Sequence, residues 1–292
     1  MLQLARLILF SPWRSWRPLR LPLPHSAAPP LPHSYVVPPC FPTYIDFMFR
    51  FTHHGFREML IGTLVLVIVG SVLGWVSGIW LLALLVLPVL VWLFAFFRDP
   101  ERRVPDEQHL MVSPADGVVS DITEIDHDPL LNAPAVRVGI FLSVFNVHVN
   151  RSPCAGKVLS VVYKKGKFIN AMSHAKASED NESNTLVIGD LTTGKPVAVV
   201  KQIVGLIARR IICDVSKDDE VTRGQRFGMI KFGSRTELTI PMWLKPTVNV
   251  QVGQKVRGAI DVIATLDEAV HATKPAVDES EIEPLIGRQT PA

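Results

Sequence analysis

At 292 residues the chain is long enough for one sizeable domain plus a membrane segment, or for two small domains. Its net charge of +3 gives no electrostatic case for nucleic acid as a partner. The three cysteines, Cys40, Cys154 and Cys213, lie too far apart for a disulfide framework or for zinc-site spacing, and suit a reducing compartment.

Residues 1–47 read as a disordered leader, or as sequence upstream of a true start at Met48. Up to residue 45 this stretch has no Asp or Glu and holds ten of the 23 prolines, so no regular helix runs far in it. Arg6, Arg14, Arg17 and Arg20 are present, but no apolar core precedes a small-residue cleavage site, so a secretory signal fits poorly. An organelle transit peptide is the alternative.

Residues 48–98 read as a hydrophobic membrane hairpin. Leu60 to Phe97 contains no charged residue. As one helix it would be about 57 Å long, nearly twice a hydrocarbon core of ~30 Å. Gly74, Ser77 and Gly78 predict a break into two passes of about 18 residues, each at the short end for a span. Pro88 predicts a kink in the second. Arg50 and Arg57 precede the run, and Arg98, Arg102 and Arg103 follow it. A hairpin places both basic flanks on one face, which the positive-inside tendency makes cytoplasmic. Full spanning and a shallow hairpin in one leaflet both remain open.

Residues 99–271 change character. Short β-type runs at Ala135–Phe141, Lys157–Tyr163, Thr185–Ile188, Val197–Val204, Arg210–Cys213, Thr236–Ile240 and Thr247–Val252 alternate with Gly, Pro and Asp turns. They predict a mainly β (α+β) domain, antiparallel, with few helices. GQKVRG (Gly253–Gly258) followed by AIDVIA is the turn–strand device of lipoyl-type barrel-sandwich domains. Lys255 lacks the flanks of a lipoyl or biotin acceptor, so this is read as structure only. Residues 272–292 read as a flexible tail.

P-loop, GxGxxG, HExxH and GxSxG signatures are absent. GMIKFGSR, Gly228 to Arg235, runs straight into a strand. By turn statistics its Gly-Ser pair is an ordinary turn. The chemical reading is a reactive Gly233–Ser234 bond: glycine removes the Cβ and opens its carbonyl to Ser234 Oγ. Attack exchanges an amide for an ester. Loss of the Ser234 α-proton then expels the preceding polypeptide and leaves a dehydroalanine that hydrolyses to a pyruvoyl group.

The longer stretch RGQRFGMIKFGSR (Arg223–Arg235) resembles the processing segment of the short bacterial phosphatidylserine decarboxylases. SPADG (Ser113–Gly117) and LSVFNVHVNRSPCAG (Leu142–Gly156) resemble two other signature regions of that family. QIVGLIARRIIC (Gln202–Cys213), KASEDNESN (Lys176–Asn184) and FFRDPERRVP (Phe96–Pro105) are similar to further segments, all in the family's order.

The resemblance implies a β chain ending at Gly233 and an α chain starting at Ser234. The two remain together as a heterodimer or part of a higher oligomer. It also implies a covalent pyruvoyl cofactor made from Ser234, with no metal. That carbonyl condenses with the substrate amine and accepts the electrons left by departing CO2, turning phosphatidylserine into phosphatidylethanolamine. The implied location is the cell membrane, with the catalytic domain on the cytoplasmic face.

His148 is the base candidate for maturation and turnover, against the reading of a satisfied strand histidine. Longer members carry a second histidine three positions on, where this chain has Arg151. Either His148 serves both steps, or Arg151 binds phosphate or carboxylate. Asp116 is the candidate to orient His148, against an ordinary Pro-x-Asp-Gly turn. Asn181 and Glu182 line the site or lie in a solvated loop; Arg209 and Arg210 meet the phosphodiester or pair with surface acids. Competing classes are a self-cleaving serine hydrolase using Ser234, His148 and Asp116, a pyruvoyl decarboxylase of a soluble amino acid, and a non-catalytic tethered β domain.

Overall fold

The computed structural model describes residues 50–168, 178–205, 210–231 and 233–267. The leader, the tail and Arg209 lie outside the described residues.

The apolar run folds as a helical hairpin. Helix α1 spans Phe56–Ser77, 22 residues and about 33 Å, and ends at Gly78 with φ +66°. The return arm is a 3-10 segment, Trp80–Val86, that passes into helix α2, Leu87–Phe96. The two pieces together reach about 29 Å. The break falls at the glycines that predict it. Gly74 is needed there, since a Cβ would sit 2.6 Å from the Trp80 ring. Pro88 falls at the start of α2, where its missing N–H costs no helical hydrogen bond. Helix α1 is long and apolar enough to cross a membrane, and only 17% of its apolar window is buried. A core helix of a soluble domain would be covered.

The hairpin base is stitched to the domain. Thr52 N–H donates to the Phe97 carbonyl at 3.0 Å and Asp99 N–H to the Arg50 carbonyl at 2.7 Å. Lys231 Nζ reaches Glu58 at 2.6 Å and the His54 carbonyl at 2.9 Å. Met59, Leu93, Phe96 and Phe97 pack with Met229 into a buried cluster. The apolar arms thus leave the domain from a fixed foot.

Fourteen described strands follow. They are β1 (Leu110–Val112), β2 (Gly117–Asp128), β3 (Ala133–Leu142), β4 (Val149–Arg151), β5 (Gly156–Lys164), β6 (Ser183–Gly189) and β7 (Pro196–Val204), then β8 (Arg210–Cys213), β9 (Glu220–Val221), β10 (Arg226–Lys231), β11 (Ser234–Pro241), β12 (Thr247–Val248), β13 (Lys255–Val256) and β14 (Val262–Thr265). All pairings between these strands are antiparallel. The main sheet has eight strands in the order β13-β2-β3-β11-β7-β6-β5-β9, curled into a half-barrel. Two three-stranded sheets, β1-β14-β12 and β4-β10-β8, accompany it. The mainly β, antiparallel class read from the sequence is the one adopted. The core fills the curl with β-branched and Leu side chains, among them Val138, Ile140, Leu142, Leu186, Ile188, Val200, Leu238 and Ile240.

Strand β11 is the spine of this arrangement. It pairs with β3 along Ser234–Pro241 and with β7 along Ser234–Thr239. Every residue in it is buried, polar ones included. Strand β10, just upstream, belongs to a different sheet. The backbone therefore switches sheets between Lys231 and Ser234, and Gly233 takes φ +66° at that corner.

Candidate active site

The sheet change places the Gly233–Ser234 bond at the mouth of the central strand. Ser234 opposes Leu142 on one side and Val204 on the other, so its backbone is held before any chemistry begins. Its side chain is fully buried, and among the described residues its Oγ has no hydrogen-bond partner. An unpaired buried hydroxyl costs about 1–3 kcal/mol, a cost borne more often at reactive sites than at plain turns. Gly233 sits in the left-handed region, where a residue with a Cβ is strained.

His148 stands over this corner. It precedes β4 and is fully buried. Its Nδ1 lies 2.9 Å from the Asn146 carbonyl, which assigns the ring proton to Nδ1. Nε2 is then a lone pair, and it accepts the Gly233 N–H at 3.3 Å. Phe96, the last residue of α2, lies against the imidazole with ring centroids 4.4 Å apart. Burial depresses the His148 pKa to about 4; the Asn146 carbonyl opposes this and Arg98 adds to it. The ring is neutral at pH 7, with a base nitrogen one residue from the serine.

The turn that carries Asn146 is itself anchored. Asn146 Oδ1 accepts Ser143 N–H at 2.9 Å and Ser143 Oγ–H at 2.7 Å. Trp92 Nε1 donates to the Val144 carbonyl at 3.3 Å, and Arg98 donates to the Phe145 carbonyl at 2.8 Å. The hairpin foot thus forms one wall of the site.

Immediately after Ser234, the guanidinium of Arg235 is fully buried in the main sheet. It binds Glu237 at 2.8 Å and Asp121 at 2.7 Å. Space for it exists because residue 139 is glycine, whose Cβ would fall 2.1 Å from the guanidinium. Buried amides tie the two sheets together: Asn150 donates to Thr236 Oγ1 at 3.1 Å, Gln202 to Asn150 at 2.9 Å, and Asn184 to Gln202 at 3.0 Å. These groups lock β11 in register and so fix Ser234.

The other sequence candidates are placed as follows. Asp116 has both carboxylate oxygens engaged, by Gly258 N–H at 2.7 Å and by Arg102 at 2.8 Å. The group on Nδ1 of His148 is the Asn146 carbonyl, so orientation of the ring comes from the backbone. Arg151 is buried and ion-paired to Asp99 at 2.8 Å, with further bonds to the carbonyls of Pro100 and Gly224. Burial and the neighbouring Arg226 lower its pKa to about 10. Glu182 is half-buried; its carbonyl accepts Val204 N–H at 3.1 Å, one strand from Ser234. Asn181 holds the Val204 carbonyl at 2.8 Å. Arg210 is exposed on β8, opposite Lys231.

Phe96, Asn146 and Arg235 were given no role by sequence reasoning, and Arg98 only that of a basic flank of the hairpin. All four stood inside the family-like segments, and the Arg-x-Glu spacing of Arg235 and Glu237, which puts both on one face of a strand, is a signal for an ion pair. Among the described residues, one group of donors suits a metal: His53, His54 and Asp214, with ligand atoms within 4.8 Å of one another. His54 already bonds Asp214 at 2.7 Å. An open depression lined by Val104, Cys154, Asp190 and Arg223 shares no lining residue with the serine site.

Comparison with known proteins meets this geometry from another side. The family model described as phosphatidylserine decarboxylase matches residues 90–264. A phosphatidylserine decarboxylase proenzyme of Ruegeria pomeroyi is 44% identical over 207 residues, covering 70% of this sequence and 88% of that protein. One of Syntrophus aciditrophicus is 47% identical over 182 residues, covering 62% and 83%. One of Cereibacter sphaeroides is 45% identical over 210 residues, covering 70% and 83%. The matched span holds the second side of the hairpin foot, His148 and the Gly233–Ser234 corner, and by the extent of these matches the chain belongs to the phosphatidylserine decarboxylase family.

Proposed function

We propose that the protein is a membrane-associated proenzyme that cuts itself between Gly233 and Ser234 and then decarboxylates phosphatidylserine to phosphatidylethanolamine. Family membership carries the reaction class, a carboxy-lyase of phospholipid synthesis. The residue assignment rests on one arrangement: a buried Ser234 Oγ with no partner among the described residues, next in sequence to Gly233, whose amide donates to Nε2 of a neutral His148.

In maturation, Ser234 Oγ adds to the Gly233 carbonyl carbon and its proton passes to His148. The C–N bond breaks, turning the amide into an ester with a free amine on residue 234. Removal of the Ser234 α-proton then breaks the bond between its Cβ and Oγ and expels Gly233 as a carboxylate. The dehydroalanine left takes up one water and releases ammonia, leaving the pyruvoyl group. This group supplies the electron acceptor for decarboxylation.

The Gly233 N–H is not part of the bond that breaks and stays on Gly233; withdrawal of the freed end at Gly233 is what releases Nε2 of His148 to handle protons in turnover. Asn146 sets its orientation, and Phe96 excludes water from its face. Asp116 supports the site through Arg102 and Gly258. Arg210 and Glu182 are headgroup contacts, whereas the donors of Arg151 serve Asp99, Pro100 and Gly224. The working division is a leader at 1–47, hairpin at 48–98, catalytic domain at 99–271 and tail at 272–292.

The hairpin holds the enzyme on its lipid substrate, and the basic flanks support a cytoplasmic position for the domain. Both products of the cut stay together because β11 is paired on each side. Intact-mass analysis of the purified protein, with a phosphatidylserine decarboxylation assay, tests this reading. Two polypeptides and a keto-acyl terminus at residue 234 are expected. An active protein that is one unbroken polypeptide with an ordinary serine would overturn it.

A further inference from the structure

Phe145 is the exception on a turn that is otherwise committed. Its side chain is 72% exposed, yet the turn beneath it is rigid. Asn146 N–H donates to the Ser143 carbonyl at 2.9 Å, and Asn146 Oδ1 closes the same turn through two more bonds. The exposure is therefore built in. A large aromatic held out in water gains nothing for the fold.

Its surroundings indicate what covers it. Trp92 and Arg98 fasten the carbonyls of Val144 and Phe145 to the second arm of the hairpin and its foot. The hairpin carries many exposed apolar residues, including Leu60, Leu64, Ile68, Leu81, Leu85 and Val91. An aromatic ring, a tryptophan N–H and an arginine at the end of an apolar helix are the composition of a membrane–water interface.

We infer that the Ser143–Val147 turn is a bilayer-contacting element, with the Phe145 side chain inserted among lipids beside the hairpin. This rests on the membrane reading proposed above and deepens it. The inner side of the same turn supplies the Asn146 carbonyl that holds His148, and Val144 lies 3.8 Å from where a Gly233 Cβ would be. One short turn thus joins the lipid surface to the reactive corner and fixes how far a headgroup travels between them.

The test uses the full-length protein with two substrates: long-chain phosphatidylserine in phosphatidylcholine vesicles, and short-chain phosphatidylserine dissolved as monomers. Phe145→Ser is expected to cleave itself and to decarboxylate the monomeric substrate at the wild-type rate. On vesicles it should slow by roughly tenfold, the factor that follows from losing part of one buried aromatic's transfer energy. Phe145→Trp should restore the vesicle rate. Equal vesicle rates for wild type and Phe145→Ser, or an equal loss on both substrates, would overturn the inference. A wild-type protein inactive on both substrates sinks the decarboxylase reading itself, and this inference with it.

Discussion

Gly233 and His148 are joined by a hydrogen bond from the glycine amide to Nε2, 3.3 Å long, while Nδ1 is committed to the Asn146 carbonyl. The histidine lone pair is thereby aimed at Gly233, on the carbonyl side of the bond proposed to break. Replacing the nucleophile or the base should have separable results. Ser234→Ala leaves one uncut, inactive polypeptide. Ser234→Cys cuts slowly, because a nucleophile survives. His148→Ala slows cutting by roughly 10²–10⁴-fold, the range for losing a positioned base. Gel analysis over time checks all three, and a His148→Ala protein that matures at the normal rate removes the residue from the mechanism.

The pH dependence follows from burial of the imidazole. His148 titrates near 4 in the folded protein against an ordinary 6.5. Between those values the unfolded state binds the extra proton, so stability declines as pH falls from about 6.5 to about 4, by at most ~3 kcal/mol. Self-cleavage should hold steady from neutral pH to about 5 and decline through about 4. Opening the ring face with Phe96→Ala should move that decline upward, toward the ordinary histidine value. Arg98 is the charged group acting on the ring in either protein. Cleavage rates measured across pH 3.5–8 in both proteins decide it; coincident profiles would show that Phe96 does not shield the imidazole.

Gly233→Ala probes the corner itself. Among the described residues a Cβ there finds nothing closer than Val144 at 3.8 Å, so the obstacle is φ +66°. The left-handed conformation should destabilise the variant by about 1–2 kcal/mol. If the backbone relaxes toward negative φ to avoid this, the carbonyl turns away from Ser234. Slower cutting with a modestly lower Tm is expected, read by gel and thermal melt.

Arg235→Ala should do more damage than its distance from solvent suggests. It leaves Glu237 buried beside an empty guanidinium site, a change worth roughly 3–5 kcal/mol in comparable buried pairs. Gly139→Ala should mimic it by driving a methyl into the guanidinium. Both variants are expected to melt earlier and to mature poorly. Wild-type melting of either would mean that the ion pairs do not hold β11.

Much of this was open to reading from the residues alone. The hairpin and its break follow from an uncharged run too long for one pass and from Gly74, Ser77 and Gly78. The strands of alternating or continuous β-branched residues, such as β5, β6 and β7, follow from periodicity. Strand β2 escaped because Asp121, Glu124, Asp126 and Asp128 give it the composition of a loop, and it spends that polarity on a half-exposed strand. Strands β4, β9 and β13 escaped because each is two or three residues long and takes its stability from neighbours. The serine and histidine were found through their motifs. Their partners were not, since the Asn146 contact is a backbone carbonyl, which carries no side-chain signature. Asp116 looked like the orienting acid because acids do that elsewhere; in three dimensions Arg102, just past the hairpin, reaches it instead.

Because β11 lies between β3 and β7, severing the backbone at its first residue frees one end without releasing the piece. An electrophile made this way arrives already seated. On the proposed chemistry it would need no loading enzyme or binding equilibrium, and dialysis would not remove it. The same permanence would mean that a centre spoiled by a stray nucleophile has no replacement short of a new polypeptide.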